Sequence, residues 1–221
     1  MKNYFLQLLL CLLSLSMCNW QTETLQAQTL MIDSFDKKST SVSQKYPNYV
    51  STQEGYDIYY ESATVQLSRV PISSRNISDK ALRLMFRLPP FNWLSVRREF
   101  QPPLNLEGYK GLELNLRIEA PSPNAFLRIT ILDLADEKRY GDEDEMWWFD
   151  CDKKLLKSKT IKWIQIRIPF DGFELSYGIG TRQNDHEKNL NKIIAYEVNL
   201  ISESRTSVNG IVLLDSLRAY K

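Results

Sequence analysis

Residues 112–119 alternate without a break, Leu112, Leu114, Leu116 and Ile118 against Glu113, Asn115, Arg117 and Glu119. Successive side chains of an extended chain point to opposite faces, so this spacing makes one face apolar and the other polar. On a helix the same residues would be scattered around the axis, which excludes an amphipathic helix here. The pattern recurs. Leu82, Leu84, Phe86 and Leu88 alternate with Arg83, Met85 and Arg87, and Leu127, Ile129 and Ile131 follow the same rule. So do Ile164, Ile166 and Ile168, then Ile194, Tyr196, Val198 and Leu200, and a last segment from about Ile211 to Tyr220. Eight or more such strands separated by turn residues predict an all-β, antiparallel sandwich or barrel with little helix. Pro89-Pro90, Pro102-Pro103 and Pro121-Pro123 are expected to terminate strands, because proline cannot donate to a ladder. Short helical turns are expected near Lys153–Lys157 and Glu187–Lys192. The polar stretch Lys37–Tyr60 lacks clean alternation and reads as an irregular loop along the sandwich edge.

The first residues stand apart. Lys2 precedes an apolar run from Phe5 to Met17 that is shorter than the roughly 20 residues needed to span a bilayer, and Ala27 offers a small residue before Gln28. Residues 1–27 are therefore expected to be a signal peptide, and residues 28–221 a single domain that is secreted or periplasmic, with no membrane span. Lipoprotein anchoring through Cys18 is the weaker alternative, because Met17 is bulky for that processing site. Loss of Cys11 and Cys18 with the leader would leave Cys151 alone, so no internal disulfide is expected. A nucleophilic Cys151 would need a base, and the sole histidine is His186. Lys+Arg 28 against Asp+Glu 27 gives a net charge of +1, without the basic stripe of a nucleic-acid-binding protein.

The most unusual stretch is Tyr140–Asp150, where four acids, Asp142 to Glu145, precede Trp147-Trp148-Phe149. A sugar ring presents a C–H face that stacks on aromatics and a hydroxyl rim that bonds carboxylates, amides and guanidinium groups. On a strand Trp147 and Trp148 must face opposite ways, so one can belong to the core while the other, with Tyr140 and Asp133, lines a glycan groove; alternatively both are covered. Arg83, Arg87, Glu113, Asn115, Arg117, Arg128, Glu197 and Asn199 occupy wet faces. If their strands share one sheet they form a polar platform for hydroxyl-rich ligands; otherwise they are cross-strand charge pairs. Trp93 and Arg97 could edge the same surface. The loop from Tyr177 to His186 places Arg182 and His186 where sandwich-end loops often contact ligands. Its Gly178-Ile179-Gly180 lacks the third glycine and the following helix of a phosphate-binding loop.

Three phrases carry a family resemblance: Gly108-Tyr109-Lys110-Gly111 before a strand, Trp163 to Phe170 ending in Ile168-Pro169-Phe170, and Leu213-Leu214-Asp215-Ser216-Leu217 near the C-terminus. With Asp33-Ser34-Phe35-Asp36 at the opening strand, they resemble family 11 carbohydrate-binding modules and the complex I intermediate-associated protein 30 (CIA30) family. Asp215-Ser216-Leu217 departs from the family's usual Asp-Asp-Ile. The resemblance implies a galactose-binding-like jelly-roll β-sandwich that binds a polysaccharide such as a β-glucan and performs no chemistry. Its CIA30 side implies an alternative, a structural or assembly module with a protein partner. It also implies a structural calcium ion (Ca2+), for which Asp33 or Asp36 with Asp215 could supply oxygen ligands. No enzyme is expected, since nothing in the sequence picks out a catalytic pair among its many carboxylates.

Overall fold

A computed structural model of the chain describes residues 29–35, 49–51, 53, 56–60, 62–73, 76–134, 145–176 and 187–221. Its strands are, in chain order, β1 (Leu30–Asp33), β2 (Tyr49–Ser51), β3 (Asp57–Tyr60), β4 (Thr64–Ser73), β5 (Asn76–Leu88), β6 (Trp93–Leu104) and β7 (Gly111–Ala120). They continue with β8 (Ala125–Asp133), β9 (Glu145–Asp150), β10 (Ile164–Pro169), β11 (Glu174–Leu175), β12 (Ile193–Ser202) and β13 (Val208–Tyr220). Two antiparallel sheets result. One is six-stranded, ordered β10-β7-β13-β5-β4, with β1 pairing the far half of β13; the other is seven-stranded, ordered β11-β9-β8-β12-β6-β3-β2. The architecture is the expected antiparallel jelly-roll sandwich. Among the described residues the only helices are two 3₁₀ turns, Leu155–Lys157 and Phe170–Gly172, and no helix is long and apolar enough to cross a membrane.

The alternating apolar residues meet between the sheets. Leu82, Leu84, Leu114, Leu116, Ile118 and Leu214 come from one side and Leu94, Leu127, Ile129, Ile131 and Leu200 from the other, each no more than 1% exposed. Burying each such side chain stabilises the fold by about 1.5–3 kcal/mol. Pro169 ends β10 as expected, and the chain turns into the 3₁₀ segment beginning at Phe170. Gly111 begins β7 where a Cβ would lie 2.8 Å from Pro169 Cα and 2.8 Å from Tyr220 Cε1, so close packing, not a turn, requires glycine there.

Three expectations about the elements need correction. Pro102-Pro103 lies inside β6, not at its end; the register against β12 shifts between Ile193 and Ala195, and this bulge spares the prolines from a regular ladder. Residues 49–51 and 57–60 are strands at the edge of the larger sheet, where the segment read as an irregular loop is too short for its alternation to register. Residues 187–192 form a turn, with Lys192 N bonded to Asn189 O at 2.9 Å, and no helix. Phe170–Gly172 was not anticipated as helical. The expected signal peptide at residues 1–27, together with Asp36, Tyr140, Arg182 and His186, lies outside the described residues.

One buried polar cluster fastens the first strand to the core. The carboxylate of Asp33 accepts from the Phe35 backbone N–H at 2.8 Å, the Tyr56 hydroxyl at 3.1 Å and the Tyr196 hydroxyl, and it pairs with the Arg98 guanidinium. Phe35, at φ 57° and 1% exposed, stacks on Tyr56 at 6.0 Å and meets the edge of Tyr196 at 6.4 Å. A left-handed phenylalanine is costly, and this packing together with the Asp33 bond offsets the cost. Burial foremost, then the charge of Asp33, pushes both tyrosine hydroxyls well above their usual range, so they remain neutral donors. Burial alone would lower the Arg98 guanidinium, but the charge and hydrogen bond of Asp33 hold it above its ordinary value.

Candidate functional site

Register decides which polar residues share a face. On the outer side of the seven-stranded sheet one row crosses six strands as Glu174, Trp148, Thr130, Glu197, Arg97 and Asp57. The neighbouring row reads Asp150, Arg128, Asn199, Ser95 and Tyr59. A third places Phe126, Ile201 and Trp93 side by side. Trp148 and Tyr59 stand four strand spacings apart, roughly 19 Å, a span suited to a short oligosaccharide.

The middle of this face is desolvated and internally braced. Arg97 is 1% exposed and bridges Glu197 at 3.3 Å and Glu99 at 3.2 Å, with Asp57 opposite it on β3. Asn199 Nδ2 donates to Thr130 Oγ1 at 2.9 Å. The flanks are open. At one side the Arg128 guanidinium lies 4.1 Å above the half-buried Trp148 ring and pairs with Asp150 through both oxygens, at 2.5 and 2.9 Å. At the other, Trp93, 39% exposed, stacks on Tyr59 at 4.4 Å and 24°. Cation–π and aromatic stacking hold these rings in fixed orientations.

The residues expected to contact a ligand are distributed unevenly over this geometry. Trp93, Arg97 and Trp148 share the outer face. Trp147 does not: it is 8% exposed and packs in the core, with Lys188 Nζ 4.9 Å over its ring, because the strand turns alternate side chains to opposite faces. Asp133 is fully buried and holds the Asn189 backbone N–H, anchoring the turn before β12 instead of lining a groove. Lys188 caps the carbonyls of Phe170 and Phe173 from the same turn, and burial foremost lowers its ammonium. Tyr59, Ser95, Thr130, Asp150 and Glu174 belong to the face but were not singled out in the sequence. Of these, Tyr59 had the best signal, through the short Asp57/Tyr59 against Ile58 alternation.

The wet-face pool does not form one platform. Arg128, Glu197 and Asn199 lie on the seven-stranded sheet, whereas Arg83, Arg87, Glu113, Asn115 and Arg117 lie on the six-stranded sheet, across the core. On that second sheet the residues pair with one another. Glu119 takes Arg83 and Arg117, both at 3.0 Å, and Glu113 takes Arg167 at 2.7 Å and Gln165 at 3.2 Å. Burial alone would raise the Glu119 carboxyl, but its bonds to Arg83 and Arg117 hold it below the ordinary range.

Of the two pairs expected to hold calcium, Asp36 with Asp215 falls partly outside the described residues, and Asp33 with Asp215 is not brought together. Asp33 is 2% exposed and committed to the donors of the buried cluster, while Asp215 sits on the outer face opposite Asn115, bonded by the Ser216 hydroxyl at 3.1 Å. Among the described residues no group of three or more histidines, cysteines or acids could hold a metal ion. Burial foremost, and then the charge of Asp79, raises the Asp215 carboxyl. A raised folded value penalises the ionised form above it, and the penalty disappears below the unfolded value. Asp215→Asn is therefore expected to raise the urea midpoint at neutral pH, with the gain closing as pH falls through the carboxylate range. A gain that persists unchanged in acid would contradict this. Cys151 is buried and its thiol is pushed up to about 12, by burial first and Asp150 second, so it is inert as a nucleophile.

No family model matches the chain, and no curated protein matches it significantly. Solved structures do. A family 11 carbohydrate-binding module from Clostridium thermocellum, in complex with a β-1,3-1,4-mixed-linked tetrasaccharide, superposes with a TM-score of 0.57 at 14% identity, covering 87% of this chain and 95% of the other. The family 11 module of the cellulosomal cellulase Lic26A-Cel5E of the same organism gives 0.58 at 15% identity, covering 88% and 95%. A family 30 carbohydrate-binding module gives 0.50 at 12% identity, covering 88% of each chain. The chain thus has the fold of family 11 modules.

Proposed function

We propose that this protein is an exported, non-catalytic module that binds a neutral polysaccharide of the β-glucan kind on the outer face of its seven-stranded sheet. The observation that carries the reading is the pair of oriented aromatic stacks, Trp148 under Arg128 and Trp93 on Tyr59, flanking a braced polar floor. Sugar rings stack on the exposed Trp93 and the half-buried Trp148, and hydroxyls bond to Asp150, Arg128 and Glu174 at one flank. The floor positions these groups without touching the ligand. The mixed-linkage tetrasaccharide in the similarly folded module supports the ligand class. Lack of chemistry is supported by three carboxylates of this face, Glu197, Glu99 and Asp150, each of which is engaged by a guanidinium as a brace.

In affinity electrophoresis through mixed-linkage β-glucan the protein is expected to be retarded. Trp148→Ala and Trp93→Ala should each weaken binding roughly tenfold or more, as central aromatic anchors do. Trp163→Ala, on the connection that leads into the opposite sheet, should leave mobility in the gel unchanged. Equal mobility with and without glucan, for a sample that melts cooperatively, would refute the reading.

A further inference from the structure

The outer face of the six-stranded sheet carries a different chemistry at one end. Met85 on β5 pairs with Ile211 on β13, and Ile161, on the connection leading to β10, borders the same groove. Ile161 is 91% exposed and Met85 38%. Beside them the Trp163 ring, half-buried, lies 5.2 Å beneath the Arg117 guanidinium. The groove has a volume of about 530 Å³ and opens between Ile161 and Ile211, with Lys159 and Arg117 on its wall. Its rim is cationic. Arg83 and Arg117 flank Leu213 in one row, Arg87 follows two residues beyond Met85, and Lys159 and Lys162 bracket Ile161. Glu119 alone opposes these five cations among the groove and rim residues, and it is shared by Arg83 and Arg117.

We infer that this patch is a docking surface for an anionic phospholipid bilayer. A projecting aliphatic side chain offers nothing to a sugar hydroxyl, whereas a bilayer interface takes up isoleucine and places tryptophan at headgroup depth. Exposed apolar patches with a polar rim mark interaction sites, and the charge excess selects an anionic partner. Each lysine or arginine near such a surface strengthens partition roughly fivefold. The connection bearing Ile161 is fixed: Leu156 is 1% exposed, its carbonyl accepts from Ser122 N at 2.8 Å, and Thr160 N bonds Ile118 O at 2.9 Å. The patch lies across the core from the aromatic stacks of the other sheet, so a molecule lying on a bilayer through this face turns the opposite face outward.

The test is sedimentation of the protein with vesicles rich in phosphatidylglycerol, against pure phosphatidylcholine, at low and high salt. Binding is expected only with the anionic vesicles and should weaken with salt. Lys159→Glu with Lys162→Glu should reduce partition at least roughly 25-fold, and Ile161→Ser alone should reduce it several-fold. All three positions are exposed, so melting temperature and retardation by β-glucan should stay as in the parent. No sedimentation at low salt, or equal sedimentation of the variants, would overturn the inference. Binding of soluble polyglutamate as tight as vesicle binding, and indifferent to Ile161→Ser, would reassign the patch to an acidic partner and overturn it as well.

Discussion

Replacing Asp33 with alanine is expected to lower the unfolding free energy by about 3–5 kcal/mol, the cost of breaking a buried ion pair from one side. The loss is not that of one contact. Without the carboxylate, the Tyr196 and Tyr56 hydroxyls lose an acceptor in a buried setting, the Arg98 guanidinium loses its counter-charge, and Phe35 N–H loses the bond that supports its left-handed backbone. Leaving a buried donor unsatisfied costs about 1–3 kcal/mol by itself. Asp33→Asn keeps one carbonyl acceptor but removes the charge, and it should fall between the parent and alanine. Urea unfolding followed by tryptophan fluorescence measures both. A loss under about 1 kcal/mol for alanine would mean that the cluster is dispensable and that β1 is held by its pairing with β13 alone.

Arg97→Met is expected to cost a similar amount, about 3–5 kcal/mol, for the opposite electrostatic reason. Methionine nearly fills the volume, but Glu197, whose side chain is 3% exposed, and Glu99, at 13%, are left facing one another without their shared cation. Adding Glu197→Gln to Arg97→Met should restore a large part of the loss, because the remaining groups are then one charge and one amide. In Arg97→Met the like charges of Glu197 and Glu99 repel without their shared cation, so the destabilisation is expected to exceed that of Arg97→Met with Glu197→Gln. Equal deficits in the single and double variants would show that Arg97 acts through packing and not through charge. Glycan affinity in gels should fall in Arg97→Met as well, since the floor under both aromatic stacks loosens, yet by less than in Trp148→Ala.

Residues 112–119 show what was legible locally. Their alternation named a strand, its buried face and its wet face, and the structure has each of these at β7. Pro169 named its own stop, and the adjacent Trp147-Trp148 required one ring inside and one outside. These are properties of a few neighbouring residues under a fixed backbone geometry, so the chain determined them by itself. Pairing partners are different. Arg83, Arg117, Arg128 and Glu197 look alike as polar residues between apolar ones, and only the order of strands put two of them on one sheet and two on the other. Arg97 read as the edge of a ligand surface and Asp33 as a candidate calcium ligand, and both became buried braces because distant strands brought Glu197 and Tyr196 against them, 100 and 163 residues further along. The physical reason is that alternation specifies a face, whereas a sheet's neighbours are chosen by the summed packing of all its apolar faces. The tertiary structure alone decided which outward residues became neighbours, and therefore where the aromatic flanks and the cationic patch lie.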